Sequence, residues 1–228
     1  MSPSFLLLAA PVALPERGTN PVVLLLVLAG MSLVPFLLVM FTSFTKMSVV
    51  LSLTRSALGT QQAPPTVVLT GLAAVLSMVV MGPVAEAMVA RLQAQRFPAE
   101  AGPEMLRVAA SVAEPLRAFL VEHGNSELRT ELAALSRELR GGAEVSESDL
   151  RVVAPAFVLS ELKQAFQIGF LVFLPFLVVD MVVANVLLAL GMQSLSPSQV
   201  SLPFKVLLFV AVDGWTLLAR SLVQGYRG

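Results

Sequence analysis

The sequence predicts an all-α membrane protein. It would be built as two long apolar helical hairpins joined by one amphipathic, charged helical segment. Three observations carry that expectation. Of 228 residues, 56% are hydrophobic and only 13% are charged, against about 25% charged in a soluble domain. A chain with so few charges cannot cover a water-facing surface, so lipid or partner subunits must cover the rest. Long stretches carry no charge at all, and the charges gather instead in the middle. Between Glu86 and Arg151 lie 8 of the 15 basic and 11 of the 15 acidic residues.

Residues 1–20 form the first segment. Phe5 to Leu14 is similar to the apolar region of a secretory signal, but no basic residue precedes it and no clean small-x-small site follows. It is at most a weak signal.

Residues 21–90 form the first hairpin. Gly18 to Thr45 holds no charge, and its core PVVLLLVLAGMSLVPFLLVMF is long enough to cross a hydrocarbon layer of about 30 Å. Ser56 to Ala85 is again uncharged, with Thr66 to Val84 as its apolar part. The connection TSFTKMSVVLSLTRSALGTQQAPP holds Lys46 and Arg55 and no acid. It ends in Gly59 and Pro64–Pro65, which are helix-stop signals.

Residues 91–152 form the charged segment. Leu116, Phe119 and Leu120 mark one amphipathic helix, and Leu128, Leu132, Leu135 and Leu139 a second, with Gly124 and Asn125 between them. Its glutamates and arginines read as solvated surface, and His123 as a surface histidine without metal-binding partners. The positive-inside rule puts the Lys46–Arg55 connection in the cytoplasm and this segment, with both termini, outside. Arg220 and Arg227 at the tail argue mildly against that orientation.

Residues 153–228 form the second hairpin. Gln164 to Val179 is uncharged, Asp180 follows, and Met181 to Phe204 is uncharged again. That run breaks at LGMQSLSPSQVSLP, and Lys205 to Tyr226 reads as a last apolar helix carrying Asp213 and Arg220.

Charge inside such apolar sequence points to polar contacts between helices or subunits. Lys46, Arg55, Glu86 and Glu161 could equally snorkel at helix ends. Asp180, flanked deeply by apolar residues, and Asp213 are harder to dismiss in that way. Glu161, Gln164 and Gln167 make one polar stripe, which suits interhelical hydrogen bonds, a wet channel or a face beyond the membrane edge. With Lys163 and Lys205 these residues are candidate assembly or buried polar positions. Lys205 and Lys163 are candidate partners for the carboxylates, as are polar atoms of another subunit.

Several functions are excluded. Without cysteine there is no disulfide, zinc thiolate or thiol catalysis. A net charge of zero with no clustered basic face gives no sign of nucleic acid. No phosphate-binding loop is present, and a serine nucleophile would find its only histidine in the hydrophilic segment. Asp180 and Asp213 carry no supporting aspartyl motif. Neither an enzyme nor a cofactor is expected.

The strings FLLVMFTSFTKMSVVLSLTRSALGTQQAPPTVVLTGLA, PAFVLSELKQAFQIGFLVFLPFLVVDMVVANVLLALGM and SLPFKVLLFVAVDGWTLL strongly resemble the export-gate subunit family of type III secretion, SctR of injectisomes and FliP of flagella. They cover both hairpins, while the charged segment shows no such likeness. The resemblance implies a homo-oligomer, a pentamer, joined by smaller hydrophobic export proteins at the bacterial inner membrane. Unfolded secreted proteins would pass through its pore. It also implies that in the assembled gate the apolar hairpins are largely lifted out of the lipid and packed on one another, so four spans describe the state before assembly. VLSELKQAFQIGF, ANVLLALGM and the weak signal look closer to the injectisome branch.

The turn Gly191–Pro197 joins the helices of the second hairpin, and the resemblance implies that it closes the pore with a methionine-rich gasket. Here Met192 is present, but Gln193 and Ser194 stand where further methionines often occur. The constriction would then rest on Met192 and Leu195 or on partner subunits. The other reading is a tight turn that matters only for geometry. The alternatives to an injectisome gate are the flagellar counterpart and, in a different class, a small-solute transporter.

Overall fold

The computed structural model describes residues 21–60, 62–95, 103–192 and 194–227. The weak signal (residues 1–20) and Gln193 therefore lie outside the described residues. Those described form eight helices and no strand. The chain divides into two compact units, residues 1–37 and residues 38–228.

Helix α1 (Pro21–Met40) falls mostly in the first unit. It is apolar throughout, and the one polar hydroxyl at Ser32 turns inward along the helix to the Ala29 carbonyl, 2.7 Å away.

In the second unit the connection read as a basic loop is instead a helix, α2 (Phe44–Leu58), and it is the centre of the core. Its Met47, Val50, Leu51, Ala57 and Leu58 are buried against α3 (Thr66–Ala94) and α6 (Leu150–Ala189). The polar residues of α2 do not interrupt it, because their hydroxyls close on the helix backbone. Thr54 Oγ1 donates to Val50 O at 2.9 Å and Ser48 Oγ to Thr45 O at 3.1 Å. Gly59 stops the helix in the left-handed conformation, φ +77°, which Gly adopts without a Cβ penalty.

The charged segment forms α4 (Pro103–His123) and α5 (Ser126–Leu139). Asn125 between them caps α5, its Oδ1 accepting from Leu128 N at 3.0 Å. Phe119 and Leu120 of α4 are buried with Val153 and Phe157 of α6. Leu116 is only half-buried, and of the α5 leucines Leu135 and Leu139 are exposed.

Helix α6 begins at Leu150, earlier than the apolar run suggests. Asp149 Oδ1 accepts from Arg151 N at 3.0 Å and caps it. The helix continues for 40 residues through Pro155, Pro175 and Asp180. At 1.5 Å per residue that is about 60 Å, twice a hydrocarbon layer, so only part of α6 can sit in one. Its close approach to α2 requires Gly169, because a Cβ there would run into the Leu53 side chain.

The single last helix expected from Lys205 to Tyr226 is corrected. Helix α7 (Pro197–Ala211) starts earlier, and α8 (Gly214–Gln224) leaves it at 59°. The break is at Asp213, whose backbone is left-handed at φ 52°, a conformation that Asp tolerates better than most residues. By length and composition two helices, α3 and α6, can cross a membrane, and up to four spans exist if each broken pair counts as one.

Candidate functional site

The tip of the α6–α7 hairpin is built by a helix-end motif. Gly191 takes φ +72°, and its N–H donates to Leu188 O at 3.1 Å. Met192 N donates to Leu187 O at 2.9 Å. This pair of bonds is the Schellman arrangement, which satisfies the last carbonyls of α6 and turns the chain sharply. Pro197 in the first turn then starts α7 behind Ser196. The result leaves Met192, Ser194 and Leu195 exposed at the apex, with the two apolar side chains 43% and 42% accessible. Gln193 falls outside the described residues.

Two ion pairs organise the hairpin: one ties α6 to α2 and to the end of α8, and the other ties α7 to α6 within the hairpin. In the first, Lys46 Nζ lies 3.1 Å from Glu161 Oε1 and 2.9 Å from Gln164 Oε1. Both charged side chains are almost wholly buried. The Tyr226 hydroxyl donates to the other Glu161 oxygen, and its ring lies under the ammonium, 3.7 Å from Nζ to the centroid. Lys46, Glu161 and Tyr226 thus tie α2, α6 and the end of α8 together. Each charge meets an opposite charge or a π face, which is what permits burial at all.

In the second pair, Lys205 Nζ on α7 is 2.6 Å from Asp180 Oδ2 on α6. Ser201 Oγ donates to Asp180 Oδ1 at 2.5 Å, and the ammonium also reaches Ala57 O at the end of α2, 3.4 Å away. Lys205 is buried, whereas Asp180 keeps about a third of its side chain exposed.

Other sequence candidates stand apart from these pairs. Gln167 and Lys163 are exposed on α6, so the polar stripe divides: Glu161 and Gln164 turn to Lys46, and Gln167 does not. Asp213 is exposed at the α7–α8 break. Glu86 is exposed on α3. Among the described residues no cluster of three or more metal-ligating side chains occurs.

Sequence reasoning missed the aromatic surround of the first pair. His123 is half-buried, edge-on to Phe119 at 4.5 Å and to Tyr226 at 5.1 Å. Burial pushes the His123 imidazole below its usual pKa, with Glu122 opposing and the Lys46 charge adding to the shift. A single Tyr two residues from the chain's end leaves no periodic signal that could have announced this contact.

Comparison with known proteins places the chain. Residues 27–222 match the FliP family. The chain is 44% identical over 208 residues to the Yop proteins translocation protein R of Yersinia pestis, covering 90% of this chain and 96% of that protein. It is 41% identical over 210 residues to the hypersensitivity response secretion protein HrcR of Ralstonia nicotianae, covering 90% and 96%. It is 45% identical over 223 residues to the flagellar biosynthetic protein FliP of Pectobacterium carotovorum, covering 93% and 83%. Matches of this extent, together with the apolar helices, fit an inner membrane protein of the export apparatus. The chain belongs to the FliP family, the export-gate proteins of type III secretion, which are structural components of the apparatus and not enzymes.

Proposed function

We propose that the chain is a core subunit of an injectisome export gate at the inner membrane. Copies of it, with partner hydrophobic export proteins, form the pore through which unfolded substrates enter the secretion path. The observation that carries this reading is the α6–α7 apex. The hairpin presents Met192 and Leu195 outward at its tip, away from the core. Repeated around a pentameric ring, that apex makes an apolar collar. Methionine suits the task because its flexible, polarisable side chain can yield to a passing chain and close behind it.

The experiment is the double substitution Met192→Ala, Leu195→Ala. It keeps Gly191 and the turn and shrinks only the collar. Cells holding normal amounts of assembled complex are expected to leak small ions or dyes across the inner membrane. An intact barrier in such cells contradicts the collar.

A small-solute transporter finds no support in the cavity between α6 and α7. Its about 500 Å³ are lined only by Val, Leu and Phe side chains, so nothing polar is offered to a solute. Identity does not separate the two secretion branches, at 44% to an injectisome relative and 45% to a flagellar one. The injectisome assignment rests on the α6 strings.

We place residues 91–152 in the periplasm. The basic residues that carry this orientation are Lys46 and Arg55. Ser126 and Ser56 are both exposed and suit a direct test in this cysteine-free chain. In unassembled protein in intact cells, Ser126→Cys is expected to react with a membrane-impermeant maleimide and Ser56→Cys to be protected. Labelling of the second alone reverses the orientation.

A further inference from the structure

Two charges of opposite sign, Arg55 half-exposed on α2 and Asp213 exposed at the α7–α8 break, meet no counter-charge among the described residues. Asp213 is exposed and uncapped at the α7–α8 break, with no hydrogen-bond or ion-pair partner among the described residues. The lining of an apolar groove of about 540 Å³ on α7, formed by Leu202, Pro203, Val206, Leu207, Val210 and Ala211, ends two residues before it, at Ala211. A carboxylate central to the α7–α8 pair is poorly placed against hydrocarbon. Arg55 is half-exposed on α2, where one terminal nitrogen reaches Thr66 Oγ1 at 2.9 Å and Pro64 O at 3.4 Å. No carboxylate among the described residues meets it. Beside Arg55 run Ser48, Ser52 and Ser56, a low strip whose first and last hydroxyls are satisfied within the helix. Such a strip lets a bulky neighbour approach closely.

The register supplies the height. Lys46 meets Glu161 and Leu53 meets Gly169, so α2 runs parallel to α6. Asp180 meets Lys205 and Phe176 meets Phe209, so α7 runs antiparallel to it. Continuing the first offset sets Arg55 level with Leu171, and the second sets Ala211, the last residue of α7, level with Leu174, with Asp213 following at the break. Lys163 lies about 16 Å from Leu174 along α6 at 1.5 Å per residue, so in a ring whose axis follows the helices Arg55 is nearer in height to the end of α7.

We propose that neighbouring copies of this chain pack head to tail, the apolar α7 face and Asp213 of one copy seated on the serine strip and Arg55 of the next. This inference rests on the multi-copy gate proposed above. The two patches are different surfaces of one chain, so the contact is heterologous and closes as a ring if the rotation allows. Charge complementarity fixes which face meets which.

The test uses the full complex. A chain carrying both Arg55→Cys and Asp213→Cys, treated with a short bismaleimide, is expected to give a ladder of cross-linked oligomers. Each single-cysteine chain should stay uncross-linked, and the two single variants co-expressed should give dimers only. An oligomer that survives on native gels without the ladder overturns the inference and leaves the gate standing. A chain that runs as a monomer overturns both. A leaking Met192–Leu195 collar is not required for the ladder, so the two readings fail separately. As a second arm, Arg55→Asp and Asp213→Arg should each lower assembled complex by about tenfold or more, and the double exchange should restore it. If the double exchange restores nothing while the ladder is also absent, α7 faces lipid or another partner.

Discussion

Glu161→Leu is expected to remove about 3–5 kcal/mol of stability, the cost of stranding a buried charge whose partner is deleted. Lys46 is 3% exposed, and its ammonium would keep only Gln164 and the Tyr226 ring. The Tyr226 hydroxyl would lose its acceptor at the same time. The loss falls on the junction of α2, α6 and the end of α8, so it should be seen as a lower yield of folded protein in mild detergent and an earlier unfolding midpoint in denaturant. The triple variant Lys46→Met, Glu161→Leu, Tyr226→Phe should recover most of it. An apolar set of similar volume avoids the desolvation of two ions, and such replacements are often neutral or stabilising. If Glu161→Leu alone unfolds where the parent chain does, the pair does not hold the junction.

The second pair should respond asymmetrically. Asp180→Ala leaves the Lys205 ammonium buried with only the Ala57 carbonyl, and about 3–5 kcal/mol is expected to be lost. Lys205→Met leaves Asp180 with the Ser201 hydroxyl and about a third of its side chain in contact with the surroundings, so roughly 1–3 kcal/mol is expected. The reading is the difference in unfolding midpoint between the two variants. Equal losses would mean that Asp180 is as fully enclosed as Lys205. In both cases α7 should loosen from α6 first, visible as faster amide exchange along α7 while α4 and α5 keep their protection.

The sequence made some of this legible for clear physical reasons. Uncharged runs announced α1, α3 and most of α6, because a long apolar stretch has few alternatives to a buried or lipid-facing helix. Gly191 and Pro197 announced the hairpin tip, since left-handed backbone and a missing N–H both end helices. Asn125 separated α4 from α5 for a different reason, because its extended backbone and side-chain oxygen cap the start of α5. What misled was polarity in the wrong place. Helix α2 contains five Ser or Thr residues, one Lys and one Arg, and so read as a connection. In the fold its hydroxyls bond along the helix and Lys46 finds Glu161, a residue 115 positions away. No local pattern contains a partner at that separation. The break at Asp213 was hidden because both flanks are apolar and nothing before the structure distinguishes a left-handed Asp from a helical one. Of the two carboxylates singled out, Asp180 meets one of its candidate partners, Lys205, whereas Asp213 meets none within the described chain.

The proposed gate requires several copies of this chain in one particle, and the mass of that particle is its most direct test. The protein, expressed with its secretion system and purified in mild detergent, should be weighed by native mass spectrometry. A particle containing several 24.2 kDa copies, five of them in the ring proposed here, is the expected result. A particle holding a single copy, from cells in which secretion is active, would contradict the account.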